Sequence, residues 1–442
     1  MALDITQNGF AFRQEDGTIA ILRPGRNGGS GTRIAVPPAI ADAYRLSPGD
    51  IVEGETQPIS QEAVTPSPEP EPDQPLNWDV QFDEPPVRVP SPLPQISVER
   101  PMTHQLVSIA QINGLSARRE ETAGETSEAE ERPFPKTQRS RSERTAPDRL
   151  LTLATGRNDS TGRTLDFAAP LGAGVFGMIY GPHGAGLTRT LQAVLNGITT
   201  HAPDCVPLVL LLRPRAEEAT EWRRRFPQAE VVVGASAFSE SPPEQTLQLC
   251  DLMLEAAQRQ TELGRDVVLL VDSLTALWGT MLEAEEADAQ READTSQARR
   301  RMQEWVRRAG CFHGEAPLGG GLGGSLTLLG TVWHQAIDTE AEEEHDLHPH
   351  LRLLEYLLPE AGWVVPLSDT LAQQRLYPAI DVRRCRSRDE ERLLPAESLE
   401  IHLKTRGRLP DRDPLSCYLR LKDALDASTD PAGLMKALGG FG

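Results

Sequence analysis

A glycine-rich segment, residues 181–188, has the composition of a loop that binds phosphate. It follows an apolar run and opens a predicted helix, so its backbone N–H groups would face an anion at the helix N-terminus. The residues predicted to hold nucleotide phosphates and Mg²⁺ are Gly181, Gly184, Gly186, Thr188 and Arg189. Leu187 stands where such loops place a lysine, so the usual cation on the outer phosphates is missing. The alternative is a glycine-rich turn that binds nothing.

An acidic residue ends the apolar run at 266–272. Asp272 stands at the strand end, where phosphate-transferring proteins hold Mg²⁺, and Thr188 would supply a hydroxyl ligand. Together they predict a metal site for Mg²⁺ bound with ATP. A buried parallel strand that merely ends in aspartate is the plainer alternative.

The residues after the apolar run at 206–212 bear on hydrolysis. Some ATPases with such a phosphate loop place a water-polarising glutamate shortly after the strand that corresponds to residues 206–212. Here the nearest position is Pro214, which has no group to accept a proton. Glu217 and Glu218 follow, and we expect them in the first turn of a helix, where acids suit the helix dipole. Arg189, the nearest replacement cation, would point about 100° away from the lysine position on a helix.

Two further segments combine aromatic and basic side chains. Phe10 and Phe12 share one face of a predicted strand beside Arg13, which is typical of a stacking platform for single-stranded bases. A small hydrophobic core is the alternative. Tyr377 precedes an arginine cluster that ends at Arg388. That cluster could supply a cation to nucleotide in a neighbouring subunit, or form a solvated edge.

The pattern of strands and helices divides the chain. Residues 1–57 and 103–115 contain short β-prone runs between turns, and we expect them to form one small barrel. Residues 58–102 are rich in Pro and Glu and are predicted to be disordered, while residues 116–148 form a charged linker. Residues 149–442 alternate strands with helices, which predicts an α/β domain with a mostly parallel sheet.

Composition argues against several classes of protein. The net charge of −20 disfavours non-specific attraction to nucleic acid, so any RNA must bind at a local surface. No apolar run is long enough for a membrane span, and the N-terminus lacks the pattern of a secretory leader. The five cysteines are scattered, as expected of reduced thiols in the cytoplasm.

Taken in chain order, these segments resemble the bacterial transcription termination factor Rho family. The matching segments are 8–13 (NGFAFR), 44–54 (YRLSPGDIVEG), 163–172, 201–221, 272–275 (DSLT), 323–327 (GGSLT), 376–381 (LYPAID) and 388–391 (RDEE). The similarity covers the predicted barrel and most of the α/β region.

The resemblance implies a ring, usually a hexamer, with ATP at the subunit boundaries. Each subunit would join an oligonucleotide-binding barrel, of the OB or cold-shock type, to a RecA-like P-loop NTPase domain. The roles it implies are contact with single-stranded RNA by Phe10, Phe12 and Arg13, adenine stacking by Tyr377, and catalysis by Asp272 and Arg388. RNA polymerase and an active Rho are the further partners that this setting implies.

The departures from the family fall on ATP turnover and RNA transport. Leu187 replaces the loop lysine, Gly184 a second basic residue, Pro214 the catalytic glutamate and Ala276 an arginine. Residues 283–292 and 339–350, at the places of the family's channel loops, are acidic and would repel RNA. We therefore expect a Rho relative that binds RNA and ATP with hydrolysis and translocation impaired. A fully active Rho-type helicase and a nucleotide-free scaffold are the alternatives.

Overall fold

The computed structural model describes a barrel and an α/β domain. The described residues are 9–14, 16–24, 31–59, 102, 104–116, 143–234, 242–287, 296–313, 324–333, 349–409, 413–428 and 431–439. The predicted disordered stretch at 58–102 and the predicted linker at 116–148 lie largely outside these residues. Most of the two acidic segments predicted to replace the channel loops also lies outside them.

The first strands close into a small barrel. They are β1 (Gly9–Arg13), β2 (Ile19–Arg23), β3 (Thr32–Ala35), β4 (Ile51–Pro58) and β5 (His104–Ile112), with helix α1 (Pro38–Ala43) after β3 and the short β6 (Leu115–Ser116) after β5. The strand order β3-β2-β1-β4-β5 closes because β3 also pairs with β5. Closure leaves no open sheet edge between these strands and packs Ala11, Ile21 and Ile34 inside the barrel.

The second region is built on a mostly parallel sheet. Its strands, with two pairs of short flanking strands, are β7 (Glu143–Thr145), β8 (Leu150–Leu151), β9 (Leu171–Gly172), β10 (Phe176–Gly181), β11 (Val206–Leu211), β12 (Glu230–Val233), β13 (Asp266–Asp272), β14 (Gly310–His313), β15 (Ser325–Trp333), β16 (Trp363–Pro366) and β17 (Arg386–Ser387). The main order is β12-β11-β13-β15-β10-β16-β17. From β12 to β16 all neighbours are parallel, so the predicted fold class is confirmed.

Helices cover this sheet and continue to the C-terminal end. They are α2 (Ser160–Ala168), α3 (Leu187–His201), α4 (Ala216–Arg225), α5 (Pro243–Glu262), α6 (Leu274–Ala287), α7 (Ser296–Val306), α8 (Pro349–Leu357), α9 (Asp369–Gln373), α10 (Glu390–Leu393), α11 (Ala396–Arg406), α12 (Pro414–Ala427) and α13 (Pro431–Gly439). In α3 the buried residues Leu191, Val194, Leu195 and Ile198 recur at helical spacing and form the apolar face that packs on the sheet. Within the described parts of the chain, no helix has the length and apolar character of a membrane span.

Helix α5 packs on the barrel as well as on the sheet. Gly49, in the turn before β4, has a φ of +85°, and a Cβ added there would lie 2.7 Å from the carbonyl carbon of Glu255 in α5. Glycine is therefore required for this close approach. The barrel and the α/β domain share a buried apolar cluster across the contact.

Candidate nucleotide-binding site

The glycine-rich loop joins β10 to α3 at the carboxyl edge of the sheet. Gly184 and Gly186 have φ values of +80° and +96°, which residues with a side chain seldom adopt. A Cβ added to Gly181 would lie 2.8 Å from the Cβ of Leu367, whereas a Cβ on Gly184 would meet open space. Left-handed backbone conformations of this kind, in a loop that opens a helix, are typical of anion-binding turns.

Asp272 and Thr188 lie together at this edge. The hydroxyl of Thr188 is hydrogen-bonded to the Asp272 carboxylate, and Thr331 Oγ1 donates to Asp272 Oδ1 over 2.6 Å. Burial raises the pKa of the Asp272 carboxyl, while the hydrogen bonds from Thr331 and Thr188 act in the opposite direction. Hydroxyl and carboxylate oxygens are hard ligands that suit Mg²⁺, so the residues present fit this metal.

The residues that follow β11 do not supply a free carboxylate in the predicted place. Pro214 is buried, and Arg213, with a φ of +53°, is paired with Glu283 of α6. Glu218 Oε2 accepts from the backbone N–H of Arg215 over 3.0 Å, which is the helix-start role expected for it. The charge of Glu218 also acts to raise the pKa of Asp272, so Glu218 lies near this candidate metal ligand.

Neither of the two side chains next to Thr188 presents a positive charge to an anion in the loop. Leu187 is partly buried and packs against the main apolar core. Arg189 Nη1 pairs with Glu221 Oε1 of α4 over 2.9 Å, with both side chains substantially exposed. In this conformation Arg189 is directed to α4.

Tyr377 lies against the phosphate loop. Its hydroxyl donates to the carbonyl oxygen of Gly184 over 3.0 Å, and its ring lies 3.7 Å from a Cβ added to Gly186. The side chain of Tyr418 in α12 donates to the carbonyl oxygen of Tyr377 over 3.0 Å and supports this position. Tyr377 is 50% exposed, so a base held beside the loop can reach its ring. No local sequence pattern indicated the contribution of Tyr418.

Arg388 lies away from the phosphate loop of its own chain. It follows β17 at the sheet edge, with β16 between β17 and the loop-bearing β10. The residue is exposed, and its guanidinium donates to the carbonyl oxygen of Pro359 over 3.3 Å.

The aromatic face of β1 is buried. Phe10 is 0% and Phe12 5% exposed, and both belong to the apolar cluster that includes Met253 of α5. The guanidinium of Arg33 lies 5.7 Å from the ring centroid of Phe12. The alternative of a hydrophobic core therefore describes this conformation, since stacking on RNA bases needs open ring faces. Arg13 is exposed.

Polar contacts reinforce this docking. Arg259 Nε of α5 donates to the carbonyl oxygen of Pro48 over 3.2 Å. Gln260 Nε2 donates to Asn113 Oδ1 over 3.3 Å, and Arg265 Nη1 donates to the carbonyl oxygen of Asn113 over 2.9 Å. Buried polar groups with satisfied hydrogen bonds fix a single arrangement, so the barrel has a defined orientation on the α/β domain.

Comparison with known proteins agrees with this architecture. The model of the ATP synthase alpha/beta family, nucleotide-binding domain, matches residues 162–387, which is just over half of the chain. The transcription termination factor Rho of Gemmatimonas aurantiaca is 34% identical over 267 residues, covering 59% of this chain and 34% of that protein. Rho of Escherichia coli is 34% identical over 245 residues, covering 55% of this chain and 53% of that protein. The chain spans about a third to a half of the length of these curated relatives.

Solved structures with the same fold include ATPases of type III secretion systems. EscN of enteropathogenic E. coli has a TM-score of 0.51 and 17% identity, covering 67% of this chain and 72% of that chain. An ATPase from the type III secretion system of pathogenic bacteria has a TM-score of 0.50 and 17% identity, covering 67% and 85%. At such low identity these two proteins support the fold alone. The chain belongs to the ATP synthase alpha/beta nucleotide-binding family, and the predicted resemblance to the Rho termination factors is confirmed.

Proposed function

We propose that this chain is a Rho-like termination factor or regulator that binds ATP with Mg²⁺ at a degenerate phosphate loop and hydrolyses it poorly. The observation that carries the proposal is a division within one site. Asp272 and Thr188 retain the arrangement of metal ligands, whereas Leu187 and Pro214 occupy the positions of the loop cation and the catalytic base. Removal of a catalytic base or a preorganised charge lowers the rate of hydrolysis about 10² to 10⁴-fold. We therefore expect the chain to bind ATP but to hydrolyse it slowly.

The exposed sheet edge supports a role in assembly. Arg388 is exposed and follows β17, and β16 separates β17 from the loop-bearing strand of its own chain. In a homo-oligomeric ring, such as a hexamer, or in a ring shared with an active Rho, Arg388 reaches the nucleotide of the next subunit as an arginine finger. Co-assembly would let a chain with poor turnover regulate termination by RNA polymerase.

We assign RNA binding to the barrel. The docking of the barrel on α5 limits which of its side chains RNA can reach. Phe10 and Phe12 face α5, so single-stranded RNA reaches the rings only when the barrel separates from α5. Arg13, which is exposed, and Arg33, which lies over the ring of Phe12, are two barrel cations that we expect phosphate to contact in the docked state. Because the chain carries a net charge of −20, we expect weak RNA binding that falls steeply with added salt.

A fully active Rho-type motor is the second candidate. The pairing of Asp272 with Thr188 favours it, as does the exposure of Arg388. It would require a base other than Pro214 and a phosphate cation other than a lysine at position 187.

Nucleotide binding is tested by calorimetry with a non-hydrolysable ATP analogue, with and without Mg²⁺. We expect saturable binding that Mg²⁺ strengthens. Thr188→Ala should reduce the Mg²⁺ effect, whereas Thr200→Ala, at the far end of the same helix, should not. Absence of binding to the unmodified chain would overturn the proposal and favour a nucleotide-free scaffold.

A further inference from the structure

The phosphate loop carries a histidine that is not part of the usual motif. His183 is exposed and lies between Pro182 and Gly184, the position that lacks the family's second basic residue. Its ring stacks on the indole of Trp333, with centroids 4.2 Å apart and planes inclined at 35°. A titratable, hydrogen-bonding side chain is therefore held at the loop itself.

Trp333 is a fixed support for this ring. It ends β15, which lies between the loop-bearing β10 and the strand of Asp272, and it is the register partner of Gly181. Its backbone N–H donates to Thr275 Oγ1 over 3.0 Å. A side chain whose orientation is set before binding loses less entropy when it contacts a ligand.

The side chains around the loop include two carboxylates, and Arg189, the cation next to Thr188, is already paired. Asp272 and Glu218 interact as like charges, Leu187 is apolar, and Arg189 is paired with Glu221. Among the described residues the lysines are Lys404, Lys422 and Lys436, all in the C-terminal helices α11 to α13. Lys422, one turn from Tyr418 in α12, is paired with Asp426 over 2.9 Å. None of these three lysines belongs to the loop that would hold a nucleoside triphosphate.

We propose that His183 supplies the missing charge by donating a hydrogen bond, as an imidazolium, to the outer phosphate of a nucleotide in the loop. The inference rests on the proposed nucleotide binding and names the residue that replaces the lysine. An imidazole has an N–H donor in both protonation states, and a neighbouring phosphate favours the charged state. The face of Trp333 favours a cation above it. His183 thus distinguishes nucleotides with outer phosphates from AMP.

Calorimetry with a non-hydrolysable ATP analogue and with AMP tests the assignment. We expect His183→Ala to weaken binding of the ATP analogue about tenfold or more, the effect of one charge-assisted hydrogen bond, and to leave AMP binding unchanged. His183→Lys should restore the affinity for the ATP analogue. His201→Ala, which removes an exposed histidine at the other end of α3, is the matched control and should bind as the unmodified chain does.

Tryptophan emission gives a second readout. Contact of His183 with phosphate should change the emission of Trp333 when the ATP analogue binds, and Trp333→Phe or His183→Ala should abolish this change. If the unmodified chain binds the analogue and His183→Ala binds it equally well, the inference is overturned and the proposed function stands. A loss of affinity in Arg189→Ala instead would assign the charge to Arg189 and also overturn it. No binding by the unmodified chain would overturn both proposals.

Discussion

The hydroxyl of Tyr377 donates a hydrogen bond to the carbonyl oxygen of Gly184, 3.0 Å away. This bond ties the segment after α9 to the crown of the phosphate loop, and Tyr418 holds the backbone of Tyr377 from the other side. The loop therefore has a lateral support that does not depend on a lysine. It connects the candidate base-stacking residue, Tyr377, to the candidate phosphate loop.

Removal of the Tyr377 ring should weaken the binding of adenine nucleotides more than removal of its hydroxyl does. Stacking of a base on an aromatic side chain is worth about 1–3 kcal/mol, so Tyr377→Ala should lower affinity roughly tenfold or more. Tyr377→Phe keeps the ring and loses only an exposed hydrogen bond, so its effect should be about threefold or less. Competition binding measures both, and equal affinity of Tyr377→Ala and the unmodified chain would refute the stacking role.

Asp272→Asn should weaken Mg²⁺ binding and raise the stability of the folded chain. The pKa of this buried carboxyl is raised, so the folded state loses stability as pH rises from the ordinary value of 3.8 through the raised value. The neutral amide avoids this loss, so we expect the variant to have a higher free energy of unfolding than the unmodified chain near neutral pH. The difference should shrink as pH falls toward 3.8. Thermal melts across this range measure it.

The same variant also tests the effect of Mg²⁺ on binding of the ATP analogue. Asp272→Asn removes an anionic ligand, so Mg²⁺ should no longer strengthen binding of the ATP analogue. A variant that melts lower than the unmodified chain at neutral pH, or that keeps the full Mg²⁺ effect, would contradict the assignment.

The docked barrel predicts different effects for substitutions of two residues on β1. Phe10 is fully buried, so Phe10→Ala should lower the free energy of unfolding by about 3–5 kcal/mol. Arg13 is exposed, so Arg13→Ala should leave stability within about 0.5 kcal/mol and weaken RNA binding. Denaturant unfolding and fluorescence anisotropy with a labelled poly-pyrimidine RNA measure the two quantities. A Phe10→Ala variant of unchanged stability would show that the face of β1 is open in solution.

The fold was largely predictable because parallel strands covered on both faces are apolar runs. The apolar runs at 206–212 and 266–272 coincide, to within one residue, with β11 and β13. Strand β16 was missed because its four residues end in Pro366 and give no periodicity. Helix α1 was missed because it is short and flanked by residues typical of turns.

The candidate site was predictable only where its residues belong to one continuous motif. Spacing alone identified the loop glycines, Thr188 and Asp272. By contrast, Tyr418 supports Tyr377 and Trp333 contacts His183 of the loop through tertiary packing, which leaves no local pattern. Alternation likewise placed Phe10 and Phe12 on one face of β1, but it cannot say whether RNA or helix α5 covers that face.

The central claim is that nucleotide binding has outlasted turnover. The most direct test is ATP turnover by the purified chain with and without poly-pyrimidine RNA, beside the variants Leu187→Lys and Leu187→Lys/Pro214→Glu. We predict little turnover by the unmodified chain or by Leu187→Lys, because Pro214 still occupies the position of the base, and a rise in the double variant. RNA-stimulated turnover by the unmodified chain at the rate of an ordinary ATPase, about 1 s⁻¹ or faster, would contradict the account and identify an active motor.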